Sequence, residues 1–154
     1  MSNRPTDDAL EWLKKREGYE PQVYEDSVGN PTAGYGHLLS PDEQQSMPVG
    51  TQVDDMKADV WLAEQSNASW EAAQRQAEAI GKPELTEALF HVNYQLGPNW
   101  PKIHTKTWEK LKEGDLEAVA QEVEQSKWHQ QTPKRTKDFQ QSLRGLPREE
   151  EYGA

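Results

Sequence analysis

The sequence predicts a mostly helical α+β protein with one small sheet near the N-terminus. Helix-spaced apolar residues with cap and stop signals recur from Thr6 to about residue 145. The periodicity changes once, between Tyr19 and Leu39, where glycine and proline interrupt short apolar pairs. A long helical stretch opens at Asp54 or Asp55 and ends at Gly81-Lys82-Pro83. Its many polar residues suit a helix partly in solvent, joining two lobes.

Each element has its own signal. Thr6 or Asp7 caps a first helix in which Ala9, Leu10 and Leu13 share a face that Trp12 widens. Lys14, Lys15 and Arg16 suit the negative end of its dipole, and Gly18 is placed to stop it. Glu17 therefore sits in the last turn, an unfavourable place for a carboxylate. Val23 and Tyr24 read as a short strand, and Ser27 to Pro31 as a turn. Thr32, Gly34 and Gly36 against Ala33 and Tyr35 read as a small, glycine-relieved sheet. Ser40 to Gly50 reads as a loop with one helical turn. The long helix carries Val60, Trp61, Ala63, Ala68, Ala72, Ala73, Ala77 and Ile80. Four further helices are expected: Glu84 to Leu96, Thr105 to Lys112, a run capped by Asp115 through Trp128, and one started by Pro133 that ends near Gly145. The tail from Leu146 to Ala154 is expected to fray.

Composition excludes several classes of function. The chain has 154 residues, 17 Lys plus Arg against 27 Asp plus Glu, and a formal charge of −10. Phosphate binding needs clustered cations, so neither nucleic acid nor an anionic membrane is an expected partner. The small basic group Lys134, Arg135 and Lys137 is too small for nucleic acid. There is no cysteine, which removes disulfides, thiolate metal sites and cysteine nucleophiles. His91, His104 and His129 lack ligand spacing, so neither a metal nor another cofactor is expected. The polar N-terminus shows no signal-peptide pattern, and no apolar run approaches a membrane span.

The glycine-rich stretch carries the chemistry. Cleaving a glycosidic bond takes two carboxyl groups, one to protonate the leaving oxygen and one to activate water or attack the sugar. Glu17, at a helix end among aromatics, suits the acid, because burial raises a carboxyl pKa. Asp26, in a turn facing water, suits the ionised partner, and the Thr32 hydroxyl is placed to hold a water. The plain reading stands beside this one: a surface Glu at a helix end and an Asp capping a turn. For the tryptophans the plain reading is stronger. Trp12, Trp61 and Trp128 are expected in the core, while Trp100, in Gly-Pro-Asn-Trp-Pro, is the best candidate for an exposed ring.

Three blocks in order resemble the phage lysozyme (endolysin) family. They are Glu17-Gly18 with Asp26 and Thr32-Ala33-Gly34-Tyr35-Gly36-His37-Leu38-Leu39; Asn93-Tyr94-Gln95-Leu96-Gly97; and Trp128-His129-Gln130-Gln131-Thr132-Pro133-Lys134-Arg135. The resemblance implies a lysozyme-like single domain over residues 1–154. It would have an N-terminal lobe over about 14–53, a connecting helix over about 54–81, and a helical lobe over about 82–145 packed with helix 6–17. It implies cleavage of the β-1,4 bond between N-acetylmuramic acid and N-acetylglucosamine, with inversion, by a monomer acting on peptidoglycan strands. Glu17 would be the acid, Asp26 the base and Thr32 the water-positioning residue, with Arg135 paired to Glu17. Leu38, Tyr94, Gln95 and Thr107 match substrate-binding positions. His37 is expected in an ion pair with a carboxylate of the long helix, Glu64 being the candidate. The chain would be made in the host cytoplasm and reach the wall by holin-type release or virion delivery.

Departures from the family pattern bear on function. The segment between Leu39 and Asp54 is short, Glu122 stands where a neutral amide contacts sugar, and the acidic charge weakens attraction to an anionic wall. Two rival readings stay open: a non-catalytic wall-binding module on the same scaffold, and a transglycosylase that forms anhydro ends without needing Asp26.

Overall fold

The computed structural model describes residues 4–147. The expected fraying from Leu146 onward falls, from residue 148, outside the described residues. The chain divides into two compact units, Thr6–Ser66 and the part from Asn67 onward together with the residues before Thr6.

In the first unit, α1 spans Asp7–Glu17. The Thr6 hydroxyl accepts the Ala9 amide at 3.2 Å, Asp7 and Asp8 occupy the first turn, and Lys14, Lys15 and Arg16 the last. Both ends therefore complement the helix dipole until Glu17, its final residue. Ala9, Trp12 and Leu13 form the buried face. Three antiparallel strands follow in sequence order: β1 Glu20–Glu25, β2 Pro31–Gly34 and β3 His37–Leu38. The far edge of β1 is also paired. Val23 donates to Thr51 O at 2.9 Å and accepts from Gly50 N at 2.8 Å, and Val53 donates to Pro21 O at 2.7 Å. A short helix, α2, spans Pro41–Ser46, and the long helix α3 spans Asp55–Ala79. The division between the units falls within α3.

Strand alternation sorts the sheet into two faces. Val23, Ala33 and Leu39 point into a core completed by Val53 and Trp61, with Met47 against it. Tyr24, Thr32 and Leu38 are successive cross-strand partners and so lie together on the opposite face. Gly34 is a close-approach glycine, because a Cβ there would come within 3.2 Å of the Ala58 Cβ. The Tyr19 hydroxyl donates to Asp55 Oδ1, tying the entrance of β1 to the first turn of α3.

The second unit is helical. After a 3₁₀ turn at Pro83–Leu85 come α4 Thr86–Leu96, α5 Trp100–Ile103, α6 Thr105–Glu113, α7 Leu116–Glu124, α8 Lys127–Gln131 and α9 Pro133–Leu143. Helix α9 packs on α4, α7 and α8. Leu89, Phe90, Leu111, Val119, Val123 and Phe139 are buried. The expected single run from Asp115 through Trp128 is two helices. The Ser126 hydroxyl accepts the His129 amide at 3.1 Å and so opens α8 as a new helix.

Trp100 corrects another expectation. It is only 1% exposed, although its flanking Gly, Pro and Asn read as a surface turn. Its indole N–H donates to Gln76 Oε1 at 3.1 Å, and its ring meets Trp108 edge-on at 5.6 Å. Trp12, Trp61 and Trp128 are buried as expected. Gln76 Oε1 also accepts from Asn93 Nδ2 at 2.8 Å, and its amide nitrogen donates back to Asn93 Oδ1 at 3.2 Å. Gln76→Ala would strand the Trp100 indole N–H and Asn93 Oδ1, on residues that are each 1% exposed, while Asn93 Nδ2 keeps the Leu89 carbonyl at 2.7 Å. We expect a loss of about 2–4 kcal/mol, measured by urea unfolding, because unpaired buried polar groups cost ~1–3 kcal/mol each.

Candidate active site

The face of the sheet that carries Tyr24, Thr32 and Leu38 holds the candidate hydroxyl, and the candidate base follows directly after β1. Asp26 lies two residues past Tyr24, immediately beyond β1, and turns the chain. Its Oδ1 accepts from Val28 N at 3.0 Å and Asn30 N at 2.8 Å. The plain reading of Asp26 as a turn cap is therefore correct for one oxygen. Both of these bonds fall on Oδ1, and neither uses Oδ2.

Thr32 is tied to the same turn. Its hydroxyl donates to the Asn30 carbonyl at 2.9 Å, and Asp26 N also donates to that carbonyl at 2.9 Å. The main chain of Asn30 thus holds both side chains, its N–H on the Asp26 carboxylate and its C=O under the Thr32 hydroxyl. With its proton given to Asn30, Thr32 Oγ1 keeps its lone pairs as an acceptor. Thr32 is 3% exposed.

Glu17 enters from the end of α1, half-buried. Its carboxyl group rests on Gly36, in the turn between β2 and β3. A Cβ at Gly36 would overlap Glu17 Oε2 and lie 3.2 Å from its Cδ. Gly36 also has φ +77°, a conformation that L side chains disfavour. Glu17 and the sheet face are thereby brought together within one unit.

His37 takes a different place. It is the Cα partner of Ala33, on the core face, and stacks on Trp61 at 4.0 Å with 14° between ring planes. The expected partner Glu64 is corrected: the ion pair is with Glu43 of α2, Nε2 to Oε1 at 2.9 Å. Glu43 also accepts the Ser40 amide at 2.8 Å, while the Ser40 hydroxyl accepts the Glu43 amide. This is a capping box whose acidic arm reaches one residue further, to the histidine. The sequence signal was present as Ser40-Pro41-Asp42-Glu43, but loop composition concealed it. Burial pushes the Glu43 carboxyl up, while the Ser40 amide and His37 pull it down more strongly, so its pKa is lowered from 4.5. A lowered folded pKa supplies stability above the ordinary value, lost as pH falls through the folded one. Glu43→Gln is therefore expected to cost ~1 kcal/mol at pH 7, the usual worth of a cap. The difference from the parent should shrink as pH drops below about 4.5, which thermal melts across pH will register.

A family model described as phage lysozyme matches residues 14–149. The chain belongs to the phage lysozyme family. It is also similar to a protein named peptidoglycan hydrolase gp36 from Pseudomonas phage phiKMV, 28% identical over 137 residues. That alignment covers 86% of this chain and 15% of the relative, so the chain spans about 15% of that protein's length.

The remaining positions implied by the phage lysozyme pattern lie in the two units as follows. Leu38, in the first, is 57% exposed and stands beside Thr32. In the second, Tyr94 and Thr107 are buried, and Arg135 is half-buried in the first turn of α9. Gln95 uses both ends of its amide: it donates to Thr132 Oγ1 at 2.9 Å and accepts from Trp128 Nε1 at 3.1 Å. It therefore braces the Trp-x-x-Gln-Thr-Pro segment of the family. Two residues of the site escaped the reading of the sequence, Gly36 and Tyr24. Alternation from Thr32 would have placed Tyr24 on this face once the strand register was known; nothing local marks Gly36 as the seat of Glu17. Among the described residues, no helix is long and apolar enough to cross a membrane.

Proposed function

We propose that this phage lysozyme family member hydrolyses the β-1,4 bond between N-acetylmuramic acid and N-acetylglucosamine in peptidoglycan, with inversion at the anomeric carbon. The observation that supports the reading is the Asn30 main chain, which bonds both Asp26 and Thr32, in the same unit as Glu17. The name of the phage relative, a peptidoglycan hydrolase, supports peptidoglycan as the substrate class.

In this mechanism Glu17 gives its proton to the glycosidic oxygen as the bond to the anomeric carbon breaks. A water donates one O–H to Asp26 Oδ2 and the other to Thr32 Oγ1. Its lone pair is then directed at the anomeric carbon from the opposite side of the sugar. Asp26 takes the water's proton as the new C–O bond forms. Solvent exchange afterwards returns a proton to Glu17 and removes one from Asp26. We assign sugar contact to Leu38, Tyr94, Gln95 and Thr107, and pairing with the acid to Arg135, on the family motifs. The working form is a monomer that needs no cofactor, and access to the wall comes from holin-type release or virion delivery.

Mass spectrometry of digested peptidoglycan tests the reading. Reducing N-acetylmuramic acid ends are expected. Anhydro ends would replace hydrolysis with a transglycosylase, and uncut strands would leave a binding module. Asp26→Asn separates the first two, since only the hydrolytic route needs a base for water.

A further inference from the structure

The sheet face carries one polar side chain for which the proposed mechanism has no task. Tyr24 is the direct cross-strand partner of Thr32 and lies two residues before Asp26. Its neighbour Val23 points the other way and is 1% exposed, whereas Tyr24 is 38% exposed. Its phenol oxygen has no hydrogen-bond partner among the described residues. Burial first, then the charges of Glu17, Asp26 and Glu20, push its pKa above the ordinary 10.0. Both candidate catalytic carboxylates therefore act on this one hydroxyl and favour its protonated form.

A phenol that feels the charge of two acid groups and is bonded to neither is suited to a ligand oxygen. A tyrosine retained only for packing would turn its side chain into the core, as Val23 and Trp61 do. A tyrosine retained to tune a carboxylate would donate its proton to Glu17 or Asp26. Tyr24 does neither. We propose that Tyr24 is a substrate-contacting residue of the reaction centre, donating its O–H to an oxygen of the sugar held between Glu17 and Asp26. The inference rests on the reading of this face as the active site. It adds a third polar contact at the cleavage point, on the same ladder as Thr32 and Leu38.

The test is Tyr24→Phe, which keeps the ring and removes only the donor. On soluble peptidoglycan fragments kcat should fall about tenfold, the worth of one lost hydrogen bond, with KM changed by less than about twofold. The melting temperature should hold, because no protein partner is lost, and the acid limb of the pH–rate profile should not move. Full activity would overturn the proposal. So would a loss confined to KM, which places the contact away from the reacting sugar. A shifted acid limb would show the phenol acting on a carboxylate instead, and a lowered melting temperature would show a packing role. Glu17→Gln, assayed beside it, separates the two levels. If Glu17→Gln remains active, the active-site reading itself fails. If Glu17→Gln is inactive while Tyr24→Phe is fully active, only the role of Tyr24 fails.

Discussion

Glu17→Gln is expected to lower kcat for peptidoglycan by about 10²–10⁴-fold, the usual contribution of a general acid. The amide has the size and shape of the carboxyl group, so it can keep the seat on Gly36. It has no proton to hand to the leaving oxygen, and about 3–5 kcal/mol of transition-state stabilisation goes with it. Stability should hold or rise slightly. Glu17 ends α1, where a negative charge opposes the helix dipole, and neutralising such a charge is worth ~0.3–1 kcal/mol. The pair of measurements is turbidity loss on permeabilised Gram-negative cells and a thermal melt. An active Glu17→Gln protein would remove Glu17 from the acid role. An inactive one with a collapsed melting temperature would show a structural role instead.

Gly36→Ala is the second large effect, and it acts without touching an ionisable group. The added methyl would occupy the space of Glu17 Oε2, so the carboxyl group must move. A displacement near 1 Å at a reacting group costs roughly 10²-fold in rate. The same substitution places an L side chain at φ +77°, which costs about 1–2 kcal/mol. On a domain of this size that lowers the melting temperature by a few degrees, ~2–4 °C per kcal/mol. Gly50→Ala supplies the control. Gly50 has φ +97° but nothing within 4 Å of where its added methyl would lie, so it carries the backbone strain without the displaced acid. We expect both variants to lose similar stability and only Gly36→Ala to lose activity. Equal activity in the two would show that Glu17 tolerates movement off its seat.

These two substitutions mark how far the site was legible before the fold. Glu17, Asp26 and Thr32 stood out because a helix stop, a turn and a strand each left a local sign. The spacing of Gly18, Pro31, Gly34 and Gly36 announced a chain that turns back on itself. The ladder Tyr24, Thr32 and Leu38 was not announced. It depends on a register with an irregularity between Glu20 and Tyr24, which no local rule specifies. The partner of His37 was missed for a related reason. A histidine finds its carboxylate in space, and Glu43 is six residues away on a helix that composition disguised as loop. Trp100 was misplaced because breakers predict where a chain bends, whereas a buried amide, Gln76, decided where the ring went.

The sequence by itself determined most of the helices, the position of the small sheet, the family, and three candidates for acid, base and water-holding group. Periodicity, caps and glycine stops are local, and local energetics suffice to read them. Only the tertiary structure decided which groups share a surface. Strand register put Tyr24 beside Thr32, the Asn30 main chain joined Asp26 to Thr32, and the return of the chain at Gly36 gave Glu17 its seat. Those are contacts between residues distant along the chain, set by the packing of the whole unit around Trp61 rather than by any segment alone.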